Sequence, residues 1–300
     1  ALKKHQEISR AGAGKKFDCV MGISGGRDSS YSLYYAVRIL GLRPIAVHFN
    51  DGFGNPATGE NMIKVCSKLS VELRTITSDW RESKDIKLAF LQASTPDLEE
   101  GTDLGIASSL YGVAAKEKVK YVLIGQSFRT EGIMPLSWNY LDGRYLRKVQ
   151  KKYGTVSLRK WKKTDPGFNL GINEMFHYTF LNGIKTIPFL YYLNYIRKDT
   201  DQLLEKEFDW TNPGAHYFDD LYQSLYTYVL RVKFNIDRRI INYSALVRSG
   251  QLSREEALNR KSQNYSIEDP EIIRLCLKRL GISQVDFDNF MKLPPKRMLF

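Results

Sequence analysis

The chain has 300 residues, of which 43% are hydrophobic and 26% charged, the composition of a folded globular protein and not of a disordered or fibrous one. No apolar run approaches the roughly 20 residues of a membrane span: Phe189 to Ile196 is short and closed by Arg197, Lys198 and Asp199. The net charge of +12 favours anionic partners without choosing among RNA, a phosphorylated metabolite and an acidic protein.

Residues 1–16 read as an amino-terminal extension. No charged-then-apolar signal segment opens the chain, and since Ala1 is not a methionine, the chain is expected to be trimmed or to lack a leading segment. Residues 17–23 read as a buried strand. Ser29 to Leu40 carries Leu33, Val37 and Leu40 at helical spacing, with Ser29 as its cap. A strand follows to Phe49, a helix over Thr58 to Leu69 and a strand over Val71 to Ile76. Helices are expected over Lys84 to Ala93 and Asp103 to Lys118, the latter capped by Thr102 or Asp103, and a strand over Tyr121 to Ile124, ended by Gly125. Strands alternating with helices predict an α/β domain, residues 17–142, with a parallel sheet covered on both faces. Its ligands bind beyond the carboxyl ends of the strands, so the loops after Ile23, Phe49, Ile76 and Ile124 should converge.

Residues 143–300 read as a basic loop followed by a mostly helical region. No acidic residue interrupts Arg144, Arg147, Lys148, Lys151, Lys152, Arg159, Lys160, Lys162 and Lys163, which form either a solvated loop or lid or a phosphate clamp. Ser253-Arg254-Glu255-Glu256 matches a capping box, and Asp269-Pro270-Glu271 a helix start with proline in the first turn.

The sharpest feature is Ser24-Gly25-Gly26-Arg27-Asp28-Ser29-Ser30, between a strand and a helix. Two glycines let the backbone approach a ligand and take positive φ. The next helix aims free N–H groups and its positive dipole end at the same spot, the arrangement that holds phosphate. Gly22-Ile23-Ser24-Gly25-Gly26 also fits the nucleophile elbow of α/β hydrolases. Too little chain precedes it for that fold, however, and Asp28-Ser29 would go unexplained.

Ser24-Gly25-Gly26-Arg27-Asp28-Ser29 resembles the SGGxDS signature of the PP-loop ATP pyrophosphatases. The resemblance implies an adenine nucleotide alpha hydrolase-like fold, five parallel strands with helices on both faces. It also implies use of ATP with Mg2+, in which a carbonyl or carboxyl oxygen is adenylated and a nitrogen or sulfur nucleophile displaces AMP. By the same resemblance Ser24, Gly25, Gly26, Asp28, Ser29 and Ser30 hold the pyrophosphate end of ATP. Asn50-Asp51-Gly52 either contacts adenosine or is a plain turn, which its composition favours anyway. Gly125 to Gly132 follows the strand at Tyr121, where related enzymes place an acidic residue for the ATP-bound magnesium, and Glu131 is the match. Arg129 there is a phosphate or transition-state cation, or a surface ion pair.

The chain as a whole, from about Phe17 to beyond Ala257, is similar to the N-acetyl sugar amidotransferase family of lipopolysaccharide and surface-glycan biosynthesis. The carboxyl-half segments that carry this are Gly214 to Asp220, Lys233 to Arg239 and Ser249 to Ala257. The implied reaction turns an acetamido group of a nucleotide-activated sugar into an acetamidino group. His216 is then a candidate to accept a proton from ammonia or to bind sugar, or is simply structural. Family members usually begin with a cysteine-containing segment, which is missing here. Cys19, Cys66 and Cys276 are far apart and form no CxxC pair, which suits a reducing cytoplasm, and none sits in the nucleophile motif a glutaminase needs. Ammonia is expected from partners similar to the two subunits of imidazole glycerol phosphate synthase, a glutaminase and a channelling barrel. The rival from the same superfamily is a tRNA thiolase or lysidine synthetase, with the basic run as an RNA surface. A thiolase normally needs a cysteine pair and no RNA-binding module is recognisable, so nucleic acid is not the expected partner.

Overall fold

The computed structural model describes residues 2–135, 138, 141–165, 167–214 and 218–296. Five strands, β1 Cys19–Gly22, β2 Pro44–Asn50, β3 Leu73–Thr77, β4 Tyr121–Ile124 and β5 Lys185–Pro188, form one parallel sheet in the order β3-β2-β1-β4-β5. Val20 pairs with Ile45 on one side and Val122 on the other, which puts β1 at the centre. The helices are α1 Leu2–Ala11, α2 Arg27–Tyr34, α3 Pro56–Lys68, α4 Trp80–Ala93, α5 Glu100–Lys116, α6 Gly143–Tyr153, α7 Ile172–Phe176, α8 Arg197–Phe208, α9 Tyr222–Phe234, α10 Arg239–Arg248, α11 Arg254–Ser262, α12 Pro270–Leu280 and α13 Gln284–Lys292.

Because successive side chains of a strand point to opposite faces, the sheet sorts its residues into two cores. Val20, Ile45, Val47 and Val122 pack with Phe90 of α4, Leu104 and Leu110 of α5, Leu146 of α6, Tyr222 and Leu225 of α9 and Leu277 of α12. Cys19, Met21, Ala46 and Leu123 pack with Ile8 of α1, Leu33 of α2, Met62 and Val65 of α3 and Leu204 of α8. Both faces are apolar, which is why the strands read as continuous hydrophobic runs.

Beyond residue 142, β5 completes the sheet, and helices from the second segment cover both its faces. Two expectations need correction. The basic stretch is not all loop, because Tyr145, Leu146 and Val149 recur at helical spacing and are buried as α6 against α4. Thr102 and Asp103 do not cap α5, which starts earlier, after Glu99. The Thr102 hydroxyl instead donates to Asp51 Oδ2 at 2.9 Å and accepts from Lys87 Nζ at 2.9 Å.

The helix after β1 also starts earlier than expected. Gly26, not Ser29, is its N-cap, and no side chain caps it. A π-helical turn, Tyr35–Ile39, extends it. The Asp269 cap forms as expected; at Ser253 the hydroxyl caps α11 by accepting from the Glu256 N–H, but the Glu256 carboxylate pairs with Arg260 and does not close the capping box. Among the described residues no helix is long and apolar enough to cross a membrane.

Candidate functional site

The strand order reverses between β1 and β4, and a crevice opens there beyond the strand ends. Its lining includes Ser24, Gly26, Arg27, Asp28, Ser29, Glu131, Trp210 and Asp219, around about 470 Å3 of empty space. Gly25 takes φ +79. A Cβ there would lie 1.9 Å from the Thr58 carbonyl oxygen, so the turn must be glycine. The Gly25 carbonyl accepts from Trp210 Nε1 at 2.9 Å and Asn61 Nδ2 at 3.3 Å. With no side-chain cap at Gly26, the first-turn N–H groups of α2 lack intrahelical acceptors and face the cleft. The Ser24 and Ser29 hydroxyls lie 3.1 Å apart across the turn. Gly125 brings the β4 loop onto this turn, where a Cβ would come within 3.1 Å of the Ser29 backbone nitrogen.

Three carboxylates stand around these donors. Asp28 accepts from the buried Tyr195 hydroxyl, and its Oδ2 from Thr130 Oγ1 at 3.2 Å. Burial pushes Asp28 up, against the pull of Tyr195 and Arg27. Glu131 lines the cleft beside Asp28, and burial followed by the Asp28 charge holds it well above the usual carboxylate range. Asp219 is also raised by burial while Ser24 donates to it. Two like-charged carboxyls on one buried cleft call for a proton or a cation between them. Among the described residues no three His, Cys, Asp or Glu side chains converge to hold a metal by themselves. Asp28 and Glu131 therefore fit a hard cation that brings phosphate oxygens as its other ligands, as Mg2+ does.

Arg27 is buried and paired with Asp201 of α8. Arg197 is close enough to feel Asp28, Arg27 and Tyr195, and burial and then Arg27 lower it. Sequence reasoning passed over Tyr195, Arg197, Thr130 and Trp210, because only the folded chain brings the segment after β5 back to β1.

The other expected residues are dispersed. Ser30 is fully buried with its hydroxyl unpartnered, off the cleft. Asn50 Oδ1 accepts from the Gly52 N–H at 3.0 Å, an ordinary turn contact. Asp51 is buried behind the cleft, bound by Lys87 Nζ at 2.8 Å and the Phe53 N–H at 3.0 Å. That group continues to Glu99, pushed up to about 8 by burial, and to Asp220. Arg129 makes no ion pair among the described residues. One of its guanidinium nitrogens donates to Asn194 Oδ1 at 3.1 Å, its Nε is buried without a partner, and it is absent from the cleft lining. His216 lies outside the described residues. All three cysteines are free and buried, and burial pushes their thiols up.

A five-stranded parallel sheet in this order, with the Ser-Gly-Gly-Arg-Asp-Ser turn at its switch point, is the arrangement that the resemblance to the PP-loop ATP pyrophosphatases implied. Residues 194–300 match the family model described as LPS biosynthesis protein WbpG-like, C-terminal domain, and there the resemblance read from the sequence is borne out. Solved structures similar to this chain include the NH3-dependent NAD synthetase of Campylobacter jejuni, with 17% identity, 97% of this chain and 95% of that one covered, and a TM-score of 0.36. A tRNA thiolase from Methanococcus maripaludis shows 15% identity over 94% and 90% of the two chains, with a TM-score of 0.38. The NMN synthetase of Francisella tularensis shows 14% identity over 70% of this chain and 93% of that one, with a TM-score of 0.34. No curated protein matches the chain.

Proposed function

We propose that this chain is an ATP-dependent amidotransferase. It adenylates the acetamido oxygen of a nucleotide-linked N-acetyl sugar and replaces it with ammonia-derived nitrogen, in lipopolysaccharide O-antigen or related glycan biosynthesis. The observation that carries the reading is the Asp28–Glu131 carboxyl pair at the uncapped start of α2, beside the glycine turn. The sugar branch is supported by the match of residues 194–300 to a domain named for lipopolysaccharide biosynthesis.

An amide carbonyl is a poor electrophile. Attack of its oxygen on the α-phosphorus of ATP expels pyrophosphate and makes AMP the leaving group. Ammonia then adds to the carbon, the carbon–oxygen bond to AMP breaks, and a proton leaves the nitrogen. The α2 N–H groups and the Ser24 and Ser29 hydroxyls are placed to hold the departing pyrophosphate. Asp28 and Glu131 would hold Mg2+, which supplies neutralisation of triphosphate charge when bound. Arg197 beside them can take a phosphate oxygen. Positioning and charge stabilisation account for such chemistry, so no covalent nucleophile is required, and the buried cysteines offer none. Ammonia would come from glutaminase and barrel partners similar to those of imidazole glycerol phosphate synthase, with His216 as proton acceptor or sugar ligand. ATP use and free thiols suit a cytoplasmic enzyme.

The test compares AMP and pyrophosphate release with UDP- and CMP-linked acetamido sugars against release with bulk tRNA, Mg2+ and ammonium being present throughout. Release that needs one sugar supports the reading. Release that needs tRNA replaces it with an RNA-modifying enzyme and makes the α6 basic run the RNA surface.

A further inference from the structure

The segment Ser249-Gly250-Gln251 ends α10 and is not part of the cleft lining, yet it binds both segments that hold Asp28. Gly250 takes φ +72. The Gln251 N–H donates to the Leu246 carbonyl at 2.9 Å and the Gly250 N–H to that of Val247 at 3.1 Å, the paired bonds of a glycine-terminated helix. This turn throws the Ser249 and Gln251 side chains to the same side. Gln251 Oε1 accepts from the Arg197 N–H at 2.8 Å, and its Nε2 donates to the Tyr195 carbonyl at 3.2 Å and to Ser249 Oγ at 3.2 Å. Ser249 Oγ donates in turn to the Arg129 carbonyl at 2.9 Å.

The two segments so joined deliver opposite sides of one group. Tyr195 reaches the Asp28 carboxyl through its hydroxyl. The segment after Arg129 supplies Thr130, on Asp28 Oδ2, and Glu131, beside Asp28 in the cleft. Gly132, at φ +74, lets that loop lie on α10, since a Cβ there would come 2.7 Å from Ile241 Cγ2. All of these backbone groups except those of the β4 loop belong to residues 194–300, the WbpG-like segment.

We propose that Ser249-Gly250-Gln251 is a positioning clamp that sets Tyr195 and the Arg129–Glu131 loop, and through them the Asp28–Glu131 pair, in the geometry that takes a cation–triphosphate. This rests on the ATP reading. Ser249 and Gln251 touch no reacting atom and act only through Tyr195, Thr130 and Glu131. The carboxyl-terminal helices thereby share in building the cation site.

The test reads binding, not turnover. Mn2+ affinity in the presence of α,β-methylene ATP is measured by electron paramagnetic resonance for wild type, Gln251→Leu, Ser249→Ala and Tyr195→Phe, with an unfolding midpoint for each. Loss of an outer partner of a metal ligand typically weakens metal binding by about 10-fold or more. We expect that weakening in Gln251→Leu and in Tyr195→Phe, and a double variant no weaker than the worse single one, because the two act on one path. Should Gln251→Leu not fold, Ser249→Ala and Tyr195→Phe carry the comparison. Wild-type affinity in folded variants, or full additivity in the double variant, overturns the clamp alone. No Mn2+–nucleotide binding by the wild type overturns the ATP reading and the clamp together.

Discussion

Gly25→Ala places a methyl group where the chain has no room for one. At φ +79 an L-residue sits in the left-handed region, at a cost of about 1–2 kcal/mol. Its Cβ would lie 1.9 Å from the Thr58 carbonyl oxygen and 2.7 Å from the carbonyl carbon. Both belong to the backbone of α3, so relief requires the turn or the helix to move, typically about 1–3 kcal/mol for an overpacked site. Any such movement also loosens the Trp210 and Asn61 bonds to the Gly25 carbonyl. Together these predict a destabilisation of about 2–5 kcal/mol and a collapse of nucleotide affinity, since the same turn aims the α2 N–H groups. Urea unfolding followed by far-UV circular dichroism gives the first quantity and isothermal titration with ATP and Mg2+ the second. A variant within about 0.5 kcal/mol of wild type, the ordinary range of a surface change, that still binds nucleotide normally would refute the close-approach argument.

Asp28→Asn should leave the unliganded protein at least as heat-stable as wild type, because it removes a buried charge facing Glu131, while abolishing pyrophosphate release; thermal unfolding and a release assay read the two sides. Lys87→Met should cost about 3–5 kcal/mol in urea unfolding, because it strands the buried Asp51 carboxylate without its partner. The pH dependence has a definite sign. Burial pushes Glu99 up to about 8, so between the unfolded-state value near 4.3 and about 8 the folded chain keeps a proton that the unfolded chain has lost. Stability from this group is therefore greatest on the acid side and falls as pH rises through that window. The melting temperature should be higher at pH 6 than at pH 8, and Glu99→Gln should flatten that slope; an unchanged slope in the variant would remove Glu99 as its source.

Local signals and long-range ones were not equally legible. The central strand at Cys19–Gly22, the glycine turn and the strand at Tyr121–Ile124 depend on short-range patterns, and each was readable before the fold was known. The Asp269 and Ser253 caps were readable for the same reason. Asp51 followed a strand at the expected end and still turned inward, because Lys87 of α4, beyond α3 and β3, is buried against it; nothing in Asn50-Asp51-Gly52 announces Lys87. Tyr195 stands in an apolar stretch that reads as core, and it is core, fully buried but for the use of its hydroxyl. The α6 helix hid behind its charge, since nine basic residues from 144 to 163 masked the spacing of Tyr145, Leu146 and Val149.

The central claim is that the acetamido oxygen itself becomes part of AMP. The most direct test uses an acetamido sugar, the one that supports pyrophosphate release, with 18O in its acetyl carbonyl, and mass spectrometry of the AMP formed. The account predicts that the label moves into the AMP phosphate as ammonia replaces it on carbon. AMP without label, formed while the sugar is converted, would contradict adenylation of that oxygen.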